Sequence, residues 1–86
     1  MTIALRDGVR LTTFPDGAVL LDTRTGRYWQ LNTTGALMLQ ALLDGASVRQ
    51  ASRLLAEQYR QVSPDQAGRD LDGLLEHLRD AGLVTS

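Results

Sequence analysis

Few side chains in this sequence could perform chemistry on a substrate. The chain contains one histidine, His77, and no cysteine, which removes thiol nucleophiles, thiolate metal ligands and disulfides together. A metal site would need further ligands, and neither a second histidine nor an ordered carboxylate cluster accompanies His77. A general base would need a nucleophile or a substrate pocket beside it, and the sequence indicates neither. We therefore predict no catalytic residue, no metal and no cofactor.

The charges are numerous but balanced. Nine arginines, no lysines and ten acidic residues give a net charge of −1, and most arginines stand within a few positions of an acid. Non-specific binding of nucleic acid depends on clustered positive charge, so we expect no nucleic-acid partner. The start of the chain lacks a basic region followed by a long apolar run, so we predict no signal peptide, no membrane span and a cytoplasmic location.

The first third of the chain has the pattern of three strands. Residues 9–14 alternate and are rich in β-branched and aromatic types, residues 18–22 form an apolar run typical of a central strand, and residues 27–31 form a short third strand. The turn signals Pro15-Asp16-Gly17 and Thr23 to Gly26 separate them. The spacing predicts an antiparallel meander, which we expect to belong to a single domain, 1–86, with short frayed ends.

The remaining two thirds predict three helices. Asn32 can cap the first, which is apolar on nearly every side and should be buried. Ser47 and Ser63 each precede a Gln by three residues, the pattern of a capping box. Gly45 ends the first helix, and Gly82 fits the left-handed residue after the third. Strands followed by helices predict an α+β fold in which helices cover one face of a small sheet.

A peptide-binding groove is predicted between the third strand and the third helix. The strand, residues 27–31, carries no Pro or Lys to protect its edge, so its backbone can pair with an added strand. Asp70, Leu74 and Leu78 follow i, i+4, i+8 spacing along the third helix and form the opposite wall. Gly73, inside that helix, either leaves room for a ligand side chain or packs closely against the sheet.

Alternation within the third strand assigns its side chains to two faces. Trp29 and Leu31 share one face, which we assign to the core, and Tyr28 and Gln30 share the other. Tyr28 is thus the more accessible ring. Asp70 either pairs with a cationic residue of a bound peptide, accepts from an N–H of that peptide, or is a solvated carboxylate paired with Arg69 or a neighbouring arginine.

Several segments, taken in order, resemble the PqqD-like family of leader-peptide recognition elements. The resemblance covers roughly residues 9–84 and is most specific at the junction Leu31-Asn32-Thr33-Thr34-Gly35-Ala36, followed by Leu42-Leu43-Asp44-Gly45. The other matching segments are Val19 to Asp22, Gly26 to Gln30, Tyr59, Asp70 to Leu78, and Gly82 to Val84.

The resemblance implies both a fold and a ligand. The fold is a three-stranded sheet followed by three helices, related to winged helix-turn-helix domains. The ligand is the leader of a ribosomally made precursor peptide, which adds as a strand to the third strand and lies against the third helix. The peptide-binding residues it implies, together with the groove argument, are Arg27, Tyr28, Trp29, Gln30, Leu31, Asp70, Gly73, Leu74, His77 and Leu78. The chain looks most like the discrete recognition proteins of lasso-peptide pathways, whose partners are a leader peptidase and a macrocyclase.

Three alternatives stay open. The first is a PqqD-type peptide chaperone that serves a radical enzyme. The second is a winged-helix DNA-binding protein, against which stands the acidic third helix, with Asp65, Asp70, Asp72, Glu76 and Asp80. The third is an interaction domain in which the open sheet edge pairs with another copy.

Overall fold

Two antiparallel sheets and three helices form the fold of the computed structural model, which describes residues 3–85. The elements follow in the order β1 (Ala4–Leu5), β2 (Val9–Phe14), β3 (Gly17–Asp22), β4 (Tyr28–Asn32), α1 (Thr33–Leu43), α2 (Val48–Gln58), α3 (Pro64–Asp80) and β5 (Val84–Thr85). The larger sheet has the order β2–β3–β4, so β3 is central and β2 and β4 each keep one free edge. The predicted α+β fold with a three-stranded meander and three helices is confirmed.

Gly17 allows β3 to pair closely with β4. It opposes Phe14 across the β2–β3 turn and Asn32 across β4. A Cβ atom at this position would collide with the carbonyl oxygen of Leu31, and the φ of +153° is one that side-chain-bearing residues rarely adopt. Glycine at the turn is therefore required by the neighbouring strand as well as by the turn itself.

The carboxylate of Asp22 organises the turn between β3 and β4. Its Oδ1 accepts hydrogen bonds from the backbone N–H of Arg24 at 3.0 Å and from Nε of the same residue at 3.3 Å. The backbone hydrogen bond is the main cause that lowers the pKa of Asp22 below its ordinary value, with the guanidinium as a further cause and burial acting against both. Asp22 therefore stabilises the turn through its own side chain.

The two ends of the described chain pair with each other. Ala4 opposes Thr85 and Leu5 opposes Val84 in a second, two-stranded sheet, and the N–H of Arg6 donates to the carbonyl of Leu83 at 3.0 Å. The expectation of frayed ends is therefore wrong for residues 4–5 and 84–85, while positions 1, 2 and 86 lie outside the described residues. Strands of two residues are too short to show a periodicity, so sequence pattern does not reveal them.

The predicted helix starts are confirmed, with one difference. The side chain of Asn32 caps α1 by accepting from the N–H of Gly35 at 2.8 Å, and Ser47 and Gln50 form a complete capping box on α2. Ser63 caps α3 by accepting from the N–H of Gln66 at 3.1 Å, but the Gln66 side chain turns forward along the helix and donates to Asp70 at 2.9 Å.

Both predicted glycine stops are also confirmed. After α1 the N–H of Gly45 donates to Leu42, and after α3 the N–H of Gly82 donates to Arg79 while that of Leu83 donates to Leu78. Positive φ angles at the two glycines, +105° and +73°, complete these left-handed helix ends. The second one turns the chain directly into β5.

The core lies between the helices and one face of the larger sheet. Seven large side chains in it are almost fully buried: Leu20, Leu39, Leu55, Leu71, Leu75, Leu78 and Leu83. Leu20 of the central strand packs there, as the apolar run predicts. Within residues 3–85, no helix is long and apolar enough to cross a membrane.

Candidate functional site: the free edge of β4 and the cavity beside α3

Alternate residues of β4 present their backbone groups to the outside of the sheet. The N–H of Asp22 donates to the carbonyl of Arg27 at 2.9 Å, which makes these two a hydrogen-bonded pair. In an antiparallel ladder hydrogen-bonded pairs alternate with non-bonded pairs. The next hydrogen-bonded pair after Asp22 and Arg27 is therefore Leu20 and Trp29, which oppose each other two residues along. Arg27, Trp29 and Leu31 therefore bond to β3, whereas Tyr28 and Gln30 direct N–H and C=O outward.

This geometry narrows the predicted pairing segment, residues 27–31, to alternate residues. Arg27 lies outside β4, and its carbonyl is used by β3. Only every second residue of an edge strand can bond to an added strand. The outward groups belong to Tyr28 and Gln30 of the predicted set.

The two aromatic rings of β4 lie on opposite faces of the sheet, as predicted. Trp29 is half-buried and packs against the core, and the guanidinium carbon of Arg27 lies 5.7 Å from its ring centroid. Tyr28 lies on the outer face and keeps 63% of its surface exposed. Neither Arg27 nor Trp29 lines the cavity described below, and a role of these two residues in binding stays a prediction.

A cavity of about 440 Å³ lies between the end of β4, the start of α1 and one flank of α3. Three apolar side chains in its wall, Leu31, Met38 and Leu74, also pack against the core. The remaining lining residues are Gln30, Asn32, Thr34, Gly35 and Asp70. The cavity therefore combines an apolar wall with polar groups beside the free backbone edge.

The structure brings four of the predicted residues together around this cavity. Gln30 and Leu31 come from β4, and Asp70 and Leu74 come from α3. The predicted strand–helix groove is therefore present in the structure, and the role of these residues in binding stays a prediction.

Leu78 is the predicted wall residue that the structure places elsewhere. It has no exposed surface and lies in the core, so it cannot contact a ligand in the cavity. An α-helix has 3.6 residues per turn, so each step of four residues overshoots a full turn by about 40°. From exposed Asp70 through half-buried Leu74 to buried Leu78, the i, i+4, i+8 series rotates from the cavity into the core. His77, one residue earlier, is exposed.

Gly73 borders open space. It is exposed, and a Cβ atom there would meet nothing within 4 Å. Of the two explanations offered by the sequence, close packing against the sheet is wrong. Gly35 behaves in the opposite way, because it is buried at the start of α1 and a Cβ there would lie 3.1 Å from the capping Oδ1 of Asn32.

A second hollow of about 360 Å³ lies on the other side of the same edge. Its lining includes Phe14, Gly17 and Val19, and it shares Gln30 and Leu31 with the first cavity. Successive side chains of a strand point to opposite faces of its sheet. A strand added to β4 would therefore direct alternate side chains toward the two hollows.

Asp70 is the charged residue in the lining of the first cavity. Its Oδ1 accepts from Nε2 of Gln66 at 2.9 Å, and Oε1 of Gln66 accepts in turn from Arg69 at 3.0 Å. The glutamine therefore stands between the arginine and the aspartate. Within residues 3–85, no group of three or more His, Asp or Glu side chains is arranged to hold a metal ion.

Sequence and structure comparisons decide the family of the chain. The family model described as coenzyme PQQ synthesis protein D (PqqD) matches residues 17–84, which is most of the sequence. This chain belongs to the PqqD family. The match includes β3, β4 and all three helices, and therefore every residue around the first cavity. No curated protein matches the chain by sequence.

Two solved structures resemble this PqqD-family chain along its whole length. One is described as lasso peptide synthetase B1 complexed with the leader peptide; it is 37% identical, both chains are covered completely, and the TM-score is 0.90. The other is TbiB1 in complex with the TbiA(β) leader peptide, 27% identical over all of this chain and 96% of that one, with a TM-score of 0.83.

Four lining residues were missed by reasoning from the sequence as members of the site: Asn32, Thr34, Gly35 and Met38. Asn32, Thr34 and Gly35 belong to the strand–helix junction that carries the most specific part of the family resemblance, and Met38 follows two residues later in α1. Asn32 is the helix cap that the sequence predicts, and Met38 is buried in the helix that the sequence predicts to be buried. The signal that could have identified them is their position directly after the exposed strand edge.

Proposed function

We propose that this chain captures the leader segment of a ribosomally made precursor peptide and presents it to the enzymes of lasso-peptide maturation. The leader adds as a strand to the free edge of β4 and rests against α3. The observation that carries the proposal is the outward backbone of Tyr28 and Gln30 next to a cavity with an apolar wall. Main-chain hydrogen bonds supply affinity in such strand addition, and side-chain pockets supply specificity.

The lasso-peptide assignment draws on the solved relatives. Both resemble this chain along its whole length, and both are complexes with leader peptides. The family model, in contrast, carries the description of a coenzyme PQQ synthesis protein. The 37% identity over both complete chains favours leader binding in a lasso-peptide pathway over leader binding by a PqqD-type chaperone.

The partner enzymes form the finer part of the proposal. We infer a leader peptidase and a macrocyclase, which act on the peptide while it is bound here. In this proposal the chain itself contributes recognition, through outward backbone groups, apolar side chains, neutral polar side chains and one carboxylate. Catalysis of acyl transfer needs a nucleophile with a base beside it, whereas the hydroxyl of Thr34 in the lining donates to the amide oxygen of Asn32.

DNA binding is the main alternative from another class. A winged-helix protein directs its recognition helix to the phosphates and base edges of the major groove. Five acidic residues of α3 are exposed: Asp65, Asp70, Asp72, Glu76 and Asp80. Such a helix would be repelled by phosphate, so the charge distribution favours a peptide ligand.

The proposal is tested by titrating a fluorescein-labelled synthetic leader, taken from the precursor gene beside the gene for this chain, and following its anisotropy. Saturable binding is expected. Tyr28→Pro removes an outward N–H at the first residue of β4, where proline spares the bonds to β3. We expect this variant to weaken binding by about tenfold or more, because a backbone bond is lost and ring bulk is added.

Thr13→Pro is the matched control. Gly8 and Thr23 are a hydrogen-bonded pair, because the carbonyl of Gly8 accepts from the N–H of Thr23. Bonded and non-bonded residues alternate along β2, so the N–H of Thr13 points away from β3, to the free edge of β2. The side chain of Thr13 is exposed. This variant should bind as the parent does. Equal weakening by both prolines, in folded proteins, would move the site away from β4. If the leader does not bind and the protein binds a DNA duplex, the DNA-binding alternative is favoured. If the leader does not bind and the protein self-associates when concentrated, pairing between copies of the chain is favoured.

A further inference from the structure

The cavity beside α3 has a chemical asymmetry that leader capture by itself does not require. Its inner wall is apolar, through Leu31, Met38 and Leu74, whereas its α3 rim carries the negative charge of Asp70. Strand addition would be served equally well by an apolar pocket with a neutral rim. Strand addition thus leaves the carboxylate of Asp70 without an assigned role.

The geometry of β4 identifies the leader residue that enters this cavity. Side chains of cross-strand neighbours point to the same face of a sheet. The side chain of Leu31 packs on the core face of the sheet and lies beside Gly35 in the cavity wall, so the leader residue beside Leu31 points toward the cavity. The leader residues beside Tyr28 and Gln30 point to the outer face and have no access to Asp70.

Asp70 has acceptor capacity to spare for a ligand. Its Oδ1 takes one hydrogen bond from Gln66, and within residues 3–85 no hydrogen bond to Oδ2 is formed. The neighbouring guanidinium of Arg69 bonds to Gln66 instead of Asp70. Because the carboxylate is exposed, it keeps its hydration until a ligand arrives, and a cation approaching it meets no competing positive charge in the cavity lining.

We propose that this cavity is a subsite for a basic leader side chain, and that Asp70 selects leaders with arginine or lysine beside Leu31. The aliphatic stem of such a side chain covers Leu31 and Leu74, and its charged end reaches the carboxylate at the rim. An aliphatic leader residue would pack against the apolar wall and form no bond with the carboxylate of Asp70. An acidic residue would be repelled. The inference rests on the proposed leader capture and deepens it to the chemistry of one leader position.

The test is a substitution scan of the same fluorescein-labelled leader, in which each position in turn is arginine, norleucine or glutamate. At one position we expect arginine to bind the parent protein about two- to fivefold more tightly than norleucine, the range of an exposed ion pair, and glutamate to bind most weakly. In Asp70→Asn the preference for arginine at that position should disappear. Raised salt should reduce it in the parent.

Asp72→Asn is the matched control, since it removes the same charge from an exposed residue of α3 outside the cavity lining. It should keep the arginine preference. An equal arginine preference in Asp70→Asn, or equal binding of arginine and glutamate at every position, would overturn the subsite while leaving leader capture intact. Failure of the unsubstituted leader to bind would overturn both proposals, and the two failures are thus distinguishable.

Discussion

The two free edges of the larger sheet differ in what surrounds them. The β4 edge adjoins a cavity with an α3 wall and exposes the backbone of Tyr28 and Gln30. At the β2 edge, the alternation of bonds directs the backbone of Leu11 and Thr13 outward, and the N–H of Val9 is already used by the carbonyl of Arg6. An open edge becomes a peptide site when neighbouring side chains can select the added strand, so the α3 wall distinguishes β4 from β2.

The largest expected effect comes from Gly17→Ala, which acts on β4 from the neighbouring strand. The added methyl would collide with the carbonyl oxygen of Leu31, so we expect a loss of about 2 kcal/mol or more in the free energy of unfolding and weaker leader binding. Gly26→Ala is the control, since Gly26 also has a positive φ but a Cβ there meets nothing within 4 Å. Urea denaturation gives the free energy of unfolding of both variants. An equal loss of stability in Gly17→Ala and Gly26→Ala would show that the contact with β4 is unimportant.

Leu74→Ala sharpens the comparison between the two edges. Leu74 is half-buried and lines the cavity, so its truncation should cost about 1–2 kcal/mol of stability and lower leader affinity about fivefold. Leu11→Ala truncates a similarly half-buried leucine beside the β2 edge. It should cost comparable stability and leave leader affinity unchanged in the anisotropy titration. Loss of affinity in both variants would indicate a general effect of stability.

Gly73→Ala tests the open space on α3. A methyl group there contacts nothing, and alanine favours helix, so we expect the unfolding free energy to rise by roughly 0.5–1 kcal/mol. Leader affinity then shows whether the space is used by the ligand: weaker binding by a more stable protein would place the leader against Gly73. Destabilisation in thermal or urea unfolding would contradict the structure around this residue.

Asp22→Asn has the smallest expected effect and concerns the turn that leads into β4. The pKa of Asp22 in the folded protein lies below its ordinary value, so the ionised carboxylate stabilises the fold. This stability is fully present above the ordinary aspartate pKa, and it is lost as the pH falls through the pKa of the folded state. The variant should therefore unfold more easily at neutral pH and converge with the parent in acid. Parallel urea titrations at several pH values measure this; a difference that grows on acidification would contradict the sign.

Sequence reasoning predicted the elements of the fold well because their signals are local. The caps at Asn32 and Ser47 and the glycine stops at Gly45 and Gly82 are read from neighbouring residues, and the structure confirms each. The β1–β5 pair was not predicted, because two-residue strands from opposite ends of the chain carry no local pattern.

The candidate site was predicted in outline but not in detail. Alternation placed Trp29 and Tyr28 on the correct faces, but which backbone groups of β4 are free depends on the register with β3, which local pattern does not supply. Leu78 was assigned to the groove because spacing alone neglects the rotation of a helix by about 40° over each four residues. Met38 and Thr34 enter the cavity wall through the packing of α1 beside α3, a tertiary arrangement.

Amide hydrogen exchange followed by NMR, with and without saturating leader, tests strand addition to β4 most directly. An amide that gains a stable hydrogen bond exchanges more slowly, so the free protein should exchange rapidly at Tyr28 and Gln30, and the complex slowly at both. Leu11 and Thr13, whose N–H groups face the β2 edge, should exchange at the same rate in both states. Protection at Leu11 and Thr13, or unchanged exchange at Tyr28 and Gln30 in a saturated complex, would contradict capture of the leader by β4.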